Sequence, residues 1–211
     1  SVSFEVPHGQ TLGLLGQNGA GKTTALNILT GYIAPTSGQV ALKGISMAAD
    51  PCRAKTHLGY LPEVPPLYDE MTVREYLIFV CSLRRVMRSA ILSHASEAAS
   101  LAGAEEVWNR RIGNLSKGYR QRLGMAQALC GNPDILVLDE PTSGMDPRQT
   151  VEFRQMIHSL SSGRTVLLSS HVLSEVQAVC DRVIILHHGQ IVCDRSLRVE
   201  NGVVHITGGG K

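Results

Sequence analysis

At 211 residues the chain is long enough for one large domain, or for one domain carrying a subdomain, with a sizeable core. Its 20 Lys plus Arg nearly cancel 18 Asp plus Glu, which argues against a general nucleic-acid-binding surface. The longest apolar stretch, around YLIFVCSL, is too short to span a bilayer, and no signal peptide opens the sequence. The five cysteines (Cys52, Cys81, Cys130, Cys180 and Cys193) are scattered without a Cys-x-x-Cys pair. They read as buried or inert thiols of a reducing compartment, and neither a disulfide framework nor a zinc site is expected from them.

In chain order, SVSFEV alternates like a strand that has already begun. TLGLL runs into the glycine-rich GQNGAGKTT and then a helix from Lys22. Between about Pro65 and Leu123 the texture becomes helical. MTVREYLIFVCSLRR holds the capping box Thr72-x-x-Glu75, and ILSHASEAASLAG and KGYRQRLGMAQALC also have helical character. ILVL, TVLLSS and RVIIL, like TLGLL, are short apolar runs of the kind found in buried parallel strands. Within DPRQTVEFRQMIHSL, Asp146 is an N-cap, Pro147 the first helical residue, and Phe153, Met156, Ile157 and Leu160 one apolar stripe. ITGGGK ends without a folded element, and both ends read as cut, as in a trimmed module of something longer. The pattern predicts an α/β sheet covered by helices, residues 1–64 and 122–211, with a helical subdomain, 65–121, inserted into it.

Three segments carry chemistry. Gly16 to Thr23 matches G-x-x-x-x-G-K-[ST] between a strand and a helix start. Gly16, Gly19 and Gly21 let the backbone wrap a phosphate chain with its amides inward, Lys22 holds the outer phosphates, and the Thr23 hydroxyl binds Mg²⁺. ILVLDEP ends a buried strand in Asp139, placed for a metal's water shell, followed by Glu140, which can orient a water and accept its proton. TVLLSSH places His171 at a strand's C-terminal end, on the edge where ligands of parallel sheets bind. His187 and His188 read as a turn pair before Gly189 and not as a metal site.

LSKGYRQR is a second glycine-bearing helix start, with Ser116 as cap and Gly118 in the first turn. One triphosphate seldom needs two such cradles from one chain. A symmetric dimer, in which this segment completes the partner's site, is the economical reading.

The glycine loop, LSKGY, ILVLDEP, SGMD and the strand-end histidine follow the order of ATP-binding-cassette (ABC) ATPases, and the whole chain resembles that family. PEVPPLYDEMTV and LSKGYRQR are similar to segments of exporter ATPases whose membrane domains are separate chains. The resemblance implies a P-loop NTPase (RecA-like) core with a mostly parallel sheet and an N-terminal antiparallel β portion. It implies a cytoplasmic ATPase, peripheral at the membrane, that hydrolyses ATP as a dimer and drives integral membrane subunits docked on the helical insert. No nucleic-acid partner is expected.

Residue by residue, the resemblance assigns ATP to Gly16, Gln17, Asn18, Gly19, Ala20, Gly21, Lys22, Thr23 and Thr24, and Mg²⁺ to Thr23, Glu63 and Asp139. Glu140 is then the general base and His171 the switch histidine. Ser116, Gly118 and Asp146 lie across the dimer interface. This chain departs from the family at Glu63, where glutamine is common, and at Lys117 and Tyr119, which replace a glycine and a glutamine. The aromatic that usually stacks on adenine is expected upstream of SVSFEV. The alternative reading is a soluble ABC-type ATPase of translation, DNA repair or cofactor assembly. A coiled-coil insertion or a tandem second cassette would mark it, and neither is seen in this sequence.

Overall fold

A computed structural model describes residues 2–200 and 203–207. In chain order the elements are β1 (Thr11–Leu15), α1 (Lys22–Leu29), β2 (Ala41–Leu42), β3 (Ile45–Ser46), α2 (Pro51–Thr56) and β4 (Leu58–Leu61). Then come α3 (Val73–Leu83), α4 (Ile91–Leu101), α5 (Lys117–Leu129), β5 (Ile135–Asp139), α6 (Pro147–Ser161) and β6 (Thr165–Ser170). The last are α7 (Leu173–Val179), β7 (Arg182–His187), β8 (Gln190–Glu200) and β9 (Val203–Thr207).

A seven-stranded sheet in the order β4-β5-β6-β1-β7-β8-β9 organises the molecule. β4, β5, β6, β1 and β7 are parallel, and β8 and β9 add antiparallel at one edge. The apolar runs are continuous because both faces of these strands are covered. Leu136 and Leu138 of β5 and Val166 and Leu168 of β6 face one core, which α3, α5 and α6 share. Their neighbours Val137 and Leu167 face the other, beside Leu26 of α1 and Ala54 of α2. The strand period of two thus divides each run between two hydrophobic layers.

The four expected strands and the helices of the central region form where the sequence places them. Thr72 caps α3 with the reciprocal capping box to Glu75. Asp146 accepts a hydrogen bond from the Gln149 amide at 2.9 Å at the start of α6, and Phe153, Ile157 and Leu160 are buried along its inner face. Apart from an isolated bridge between Thr72 and Arg111, the described residues between β4 and β5 contain no strand pairing.

Several features depart from the sequence reading. In the described part of SVSFEV, Val2 to Val6, no ladder forms, although Phe4 and Val6 turn inward onto the core under β1, so the alternation there records burial without pairing. The antiparallel portion of the N-terminal region is the small β2–β3 hairpin, and a larger one lies at the β7–β8–β9 edge. Ile206 and Thr207, read as unfolded, end β9, whereas Gly208 to Lys211 lie outside the described residues. All five cysteines are free; Cys81, Cys130 and Cys180 are buried, and Cys52 is exposed.

β4 is the short parallel edge strand, and its position depends on Arg84 at the end of α3. The guanidinium donates to the Leu58 carbonyl at 2.7 Å and to the Lys55 carbonyl at 3.1 Å. Hydrogen bonds from charged donors contribute about 1.5–3 kcal/mol. Arg84→Met should therefore lower unfolding free energy by about 2 kcal/mol, measured by urea denaturation. An unchanged midpoint would mean that the edge strand does not rely on this residue.

Candidate active site

The loop between β1 and α1 is held from two sides. The Gly16 amide donates to the Ser170 carbonyl at the end of β6 at 3.3 Å, and the Gly189 amide donates to the Ala20 carbonyl at 3.0 Å. His187 ends β7, and His188 takes φ 45° in the turn before Gly189, as the turn-pair reading expects. Gly19 and Gly21 adopt φ of 80° and 103°, a left-handed geometry that L side chains rarely take. Gly21 is the N-cap of α1 and supplies no side-chain cap, and the first turn contains no acidic residue. The helix start therefore presents amides and a positive dipole end.

Lys22 folds back into this loop. Its ammonium donates to the Gly16 carbonyl at 2.7 Å and to the Gln17 carbonyl at 3.4 Å, and lies 3.3 Å from Glu140 Oε1. The Lys22 side chain is 6% exposed and that of Glu140 10%, so both charges are withdrawn from water and each needs the other. The second Glu140 oxygen lies 2.9 Å from His171 Nδ1, whose ring is half exposed. Glu140 itself has φ 45°, a conformation that costs a non-glycine residue of order 1 kcal/mol or more.

Ser169, at the end of β6, holds the two consecutive carboxylate residues. Its hydroxyl donates to Asp139 Oδ1 at 2.5 Å and accepts from the Glu140 amide at 3.0 Å. Asp139 is 2% exposed. Burial, followed by the nearby Asp139 charge, pushes the Tyr60 hydroxyl up to about 12. Ser143 donates to Glu63 Oε1 at 3.3 Å across the mouth.

The resulting cleft has a volume of about 440 Å³. Gln17, Asn18, Gly19, Gly21, Lys22, Thr23 and Thr24 line one wall; Glu63, Glu140, Ser143 and His171 line the other. Gly16, Ala20 and Asp139 support the walls without lining them, and Ser116, Gly118 and Asp146 lie outside the cleft. An ammonium beside a helix start with uncapped amides suits a polyanion, and the oxygens of Thr23 and Glu63 suit a hard cation. Sequence reasoning missed Ser143 and Ser169. Paired serines closing the apolar run TVLLSS were the available signal for the latter.

Residues 1–143 match a protein family described as ABC transporter. The chain belongs to the ABC transporter family. It is 38% identical over 190 residues to the ABC transporter ATP-binding protein NatA of Bacillus subtilis, covering 89% of this chain and 77% of that one. It is 37% identical over 190 residues to the bacitracin transport ATP-binding protein BcrA of Bacillus licheniformis, covering 89% and 61%. A dimeric structure of a bacterial ABC transporter cassette superposes with a TM-score of 0.83 at 25% identity, covering 92% of this chain and 88% of that one. This member of the family is an ATP-binding ATPase.

In this ABC ATPase, LSKGY and SGMD interlock within one chain. Ser116 caps α5, accepting from the Tyr119 amide at 3.4 Å, and the Tyr119 hydroxyl donates to Glu106 at 2.9 Å. The Lys117 ammonium lies against Gly144, and the Gln149 side chain covers Gly118. A Cβ on Gly118 would collide with the Gln149 amide, whose carbon would stand 2.9 Å away. Those atoms are the far end of a flexible, half-buried side chain that can swing aside, and alanine favours a helix over glycine. Gly118→Ala should therefore change unfolding free energy by less than about 1 kcal/mol in thermal unfolding. A loss above about 2 kcal/mol would mean that the Gln149 amide is locked in place.

Proposed function

We propose that the cleft binds the triphosphate of ATP and that Glu140 is the general base of its hydrolysis. The single observation that carries this reading is the contact of Glu140 with both Lys22, at 3.3 Å, and His171, at 2.9 Å, at the mouth of the glycine loop. The outer phosphates take the place of Glu140 on Lys22, and the released carboxylate accepts the proton of the attacking water. His171 steadies that carboxylate and the outermost phosphate. The residues also fit Mg²⁺: the Thr23 hydroxyl, Asp139 and Glu63 would hold it, and bound there it would neutralise phosphate charge. Glu63 meets the requirement for a hard oxygen as a glutamine amide would, while adding negative charge.

Ser116, Gly118 and Asp146 stand away from the cleft of their own chain, which supports the reading that they face the nucleotide of a second ABC subunit in a head-to-tail dimer. Among the described residues no helix is long and apolar enough to cross a membrane. We assign the transport step to membrane subunits, with this chain at their cytoplasmic face and residues 65–121 as the docking subdomain. That region holds a groove of about 530 Å³ whose lining includes Pro66, Leu67, Tyr68, Phe79 and Leu83. Tyr68 is 52% and Leu83 66% exposed, which suits an apolar helix end of a partner.

Glu140→Gln should retain ATP binding and lower turnover by about 10²–10⁴. Equilibrium ATP binding and phosphate release measure the two effects; turnover within threefold of wild type removes Glu140 from the base role. Leu83→Asp should reduce co-purification of the membrane subunits by placing a charge in the groove. Undiminished co-purification of a folded variant would move the docking surface off this groove.

A further inference from the structure

Beside the cleft, a half-buried carboxylate ties together the two loops that present Glu140 and His171. Glu175, in the first turn of α7, has a side chain only 17% exposed. Its Oε1 accepts from the Thr142 hydroxyl at 2.8 Å and from an Arg154 guanidinium nitrogen at 3.3 Å. Its Oε2 accepts from the Ser170 hydroxyl at 2.8 Å. Thr142 is 7% exposed and Ser170 is fully buried, so neither donor has water as a substitute.

The positions of these donors along the chain give the network its consequence. Thr142 follows Glu140 by one intervening residue, Pro141, and Ser170 immediately precedes His171. Ser170 also accepts from the Val172 amide at 3.0 Å, so the residues on both sides of His171 are held by one hydroxyl. A carboxylate offers two acceptor oxygens at once, one for each loop. Glu175 does not line the cleft, and the partners Thr142, Arg154 and Ser170 all lie outside the glycine loop.

We propose that Glu175 is a positioning residue for ATP hydrolysis, clamping the loop after Glu140 to the strand end before His171 so that the two side chains meet at 2.9 Å. The inference rests on Glu140 and His171 being the water-activating pair. Loss of the clamp leaves phosphate binding intact and lets the pair drift. Misplacement by about 1 Å can cost on the order of a hundredfold in rate.

The test is steady-state ATPase kinetics and equilibrium ATP binding of the full-length protein. Glu175→Ala should lower kcat by about ten- to a hundredfold with KM within about twofold. Glu175→Gln should recover kcat to within about threefold, because its amide oxygen still serves Thr142 and the Ser170 hydroxyl can rotate to accept from the amide nitrogen. Thr142→Val, which keeps the shape and removes one donor, should lower kcat without changing KM. Adding it to Glu175→Ala should bring no full second loss, since both changes open the same clamp.

Wild-type kcat in Glu175→Ala overturns the proposal. So does an equal change in KM and kcat, a glutamine variant as impaired as alanine, or a strictly additive pair. If Glu175→Ala does not fold, Glu175→Gln and Thr142→Val decide, and wild-type kcat in Thr142→Val then rejects the clamp. Glu140→Gln separates the two levels. Retained turnover in that variant refutes the assignment of the base, whereas its loss beside a fully active Glu175→Ala refutes only the clamp.

Discussion

A lysine ammonium withdrawn from water must find partners, and the architecture of the site follows from how Lys22 finds them. Two come from its own loop, the Gly16 and Gln17 carbonyls. The third, Glu140, comes from the end of β5, so one charge joins two crossovers of the sheet. A parallel arrangement makes this possible, because β1, β5 and β6 all end at the same edge. Removing either member would leave the other buried without compensation, a loss of several kcal/mol in typical pairs. A ligand that brings its own negative charge can substitute for the carboxylate at little cost. The same pairing therefore keeps the carboxylate at the mouth of the glycine loop, beside the proposed phosphate site.

The layers behind the cleft make that geometry rigid. Alternate residues of each parallel strand are consumed by opposite cores, which fixes register, since a slip of one residue would turn each hydrophobic set to the wrong layer. With register fixed, Asp139 pairs with Ser169, and the serine hydroxyl reaches both carboxylate-bearing residues. The φ of 45° at Glu140 persists because its amide is held by that hydroxyl.

Much of this was legible in the sequence. TLGLL, ILVLD, TVLLSS and RVIIL are strands because apolar runs of this length satisfy two buried faces, and the Thr72 and Asp146 caps sit where their helices begin. LGYL was not legible: it has four residues, includes a glycine, and acquires strand character only by pairing with β5. β8 was hidden for a related reason, since Cys193, Asp194 and Arg195 give it no clean alternation and its order comes from pairing on both sides. For the site, the glycine loop, Glu63, Glu140 and His171 could be named because short motifs bring their chemistry together. The hydroxyl bridges of Ser169 and Thr142 and the cover of Gln149 over Gly118 join residues far apart in sequence. The paired serines of TVLLSS hint at hydroxyls there, but no local pattern encodes the partners of such contacts.

The contact of Arg84 with Leu58 also bears on how the molecule behaves at high concentration. The neighbouring His57 carbonyl points toward β5, accepting from the Ile135 amide, so the Leu58 carbonyl faces away from the sheet. An edge carbonyl of this kind is where a strand from another copy would dock and begin intermolecular β growth. The guanidinium already occupies it. An incoming strand would have to displace a charged donor before making its first hydrogen bond, and this end of the sheet is thereby guarded against aggregation.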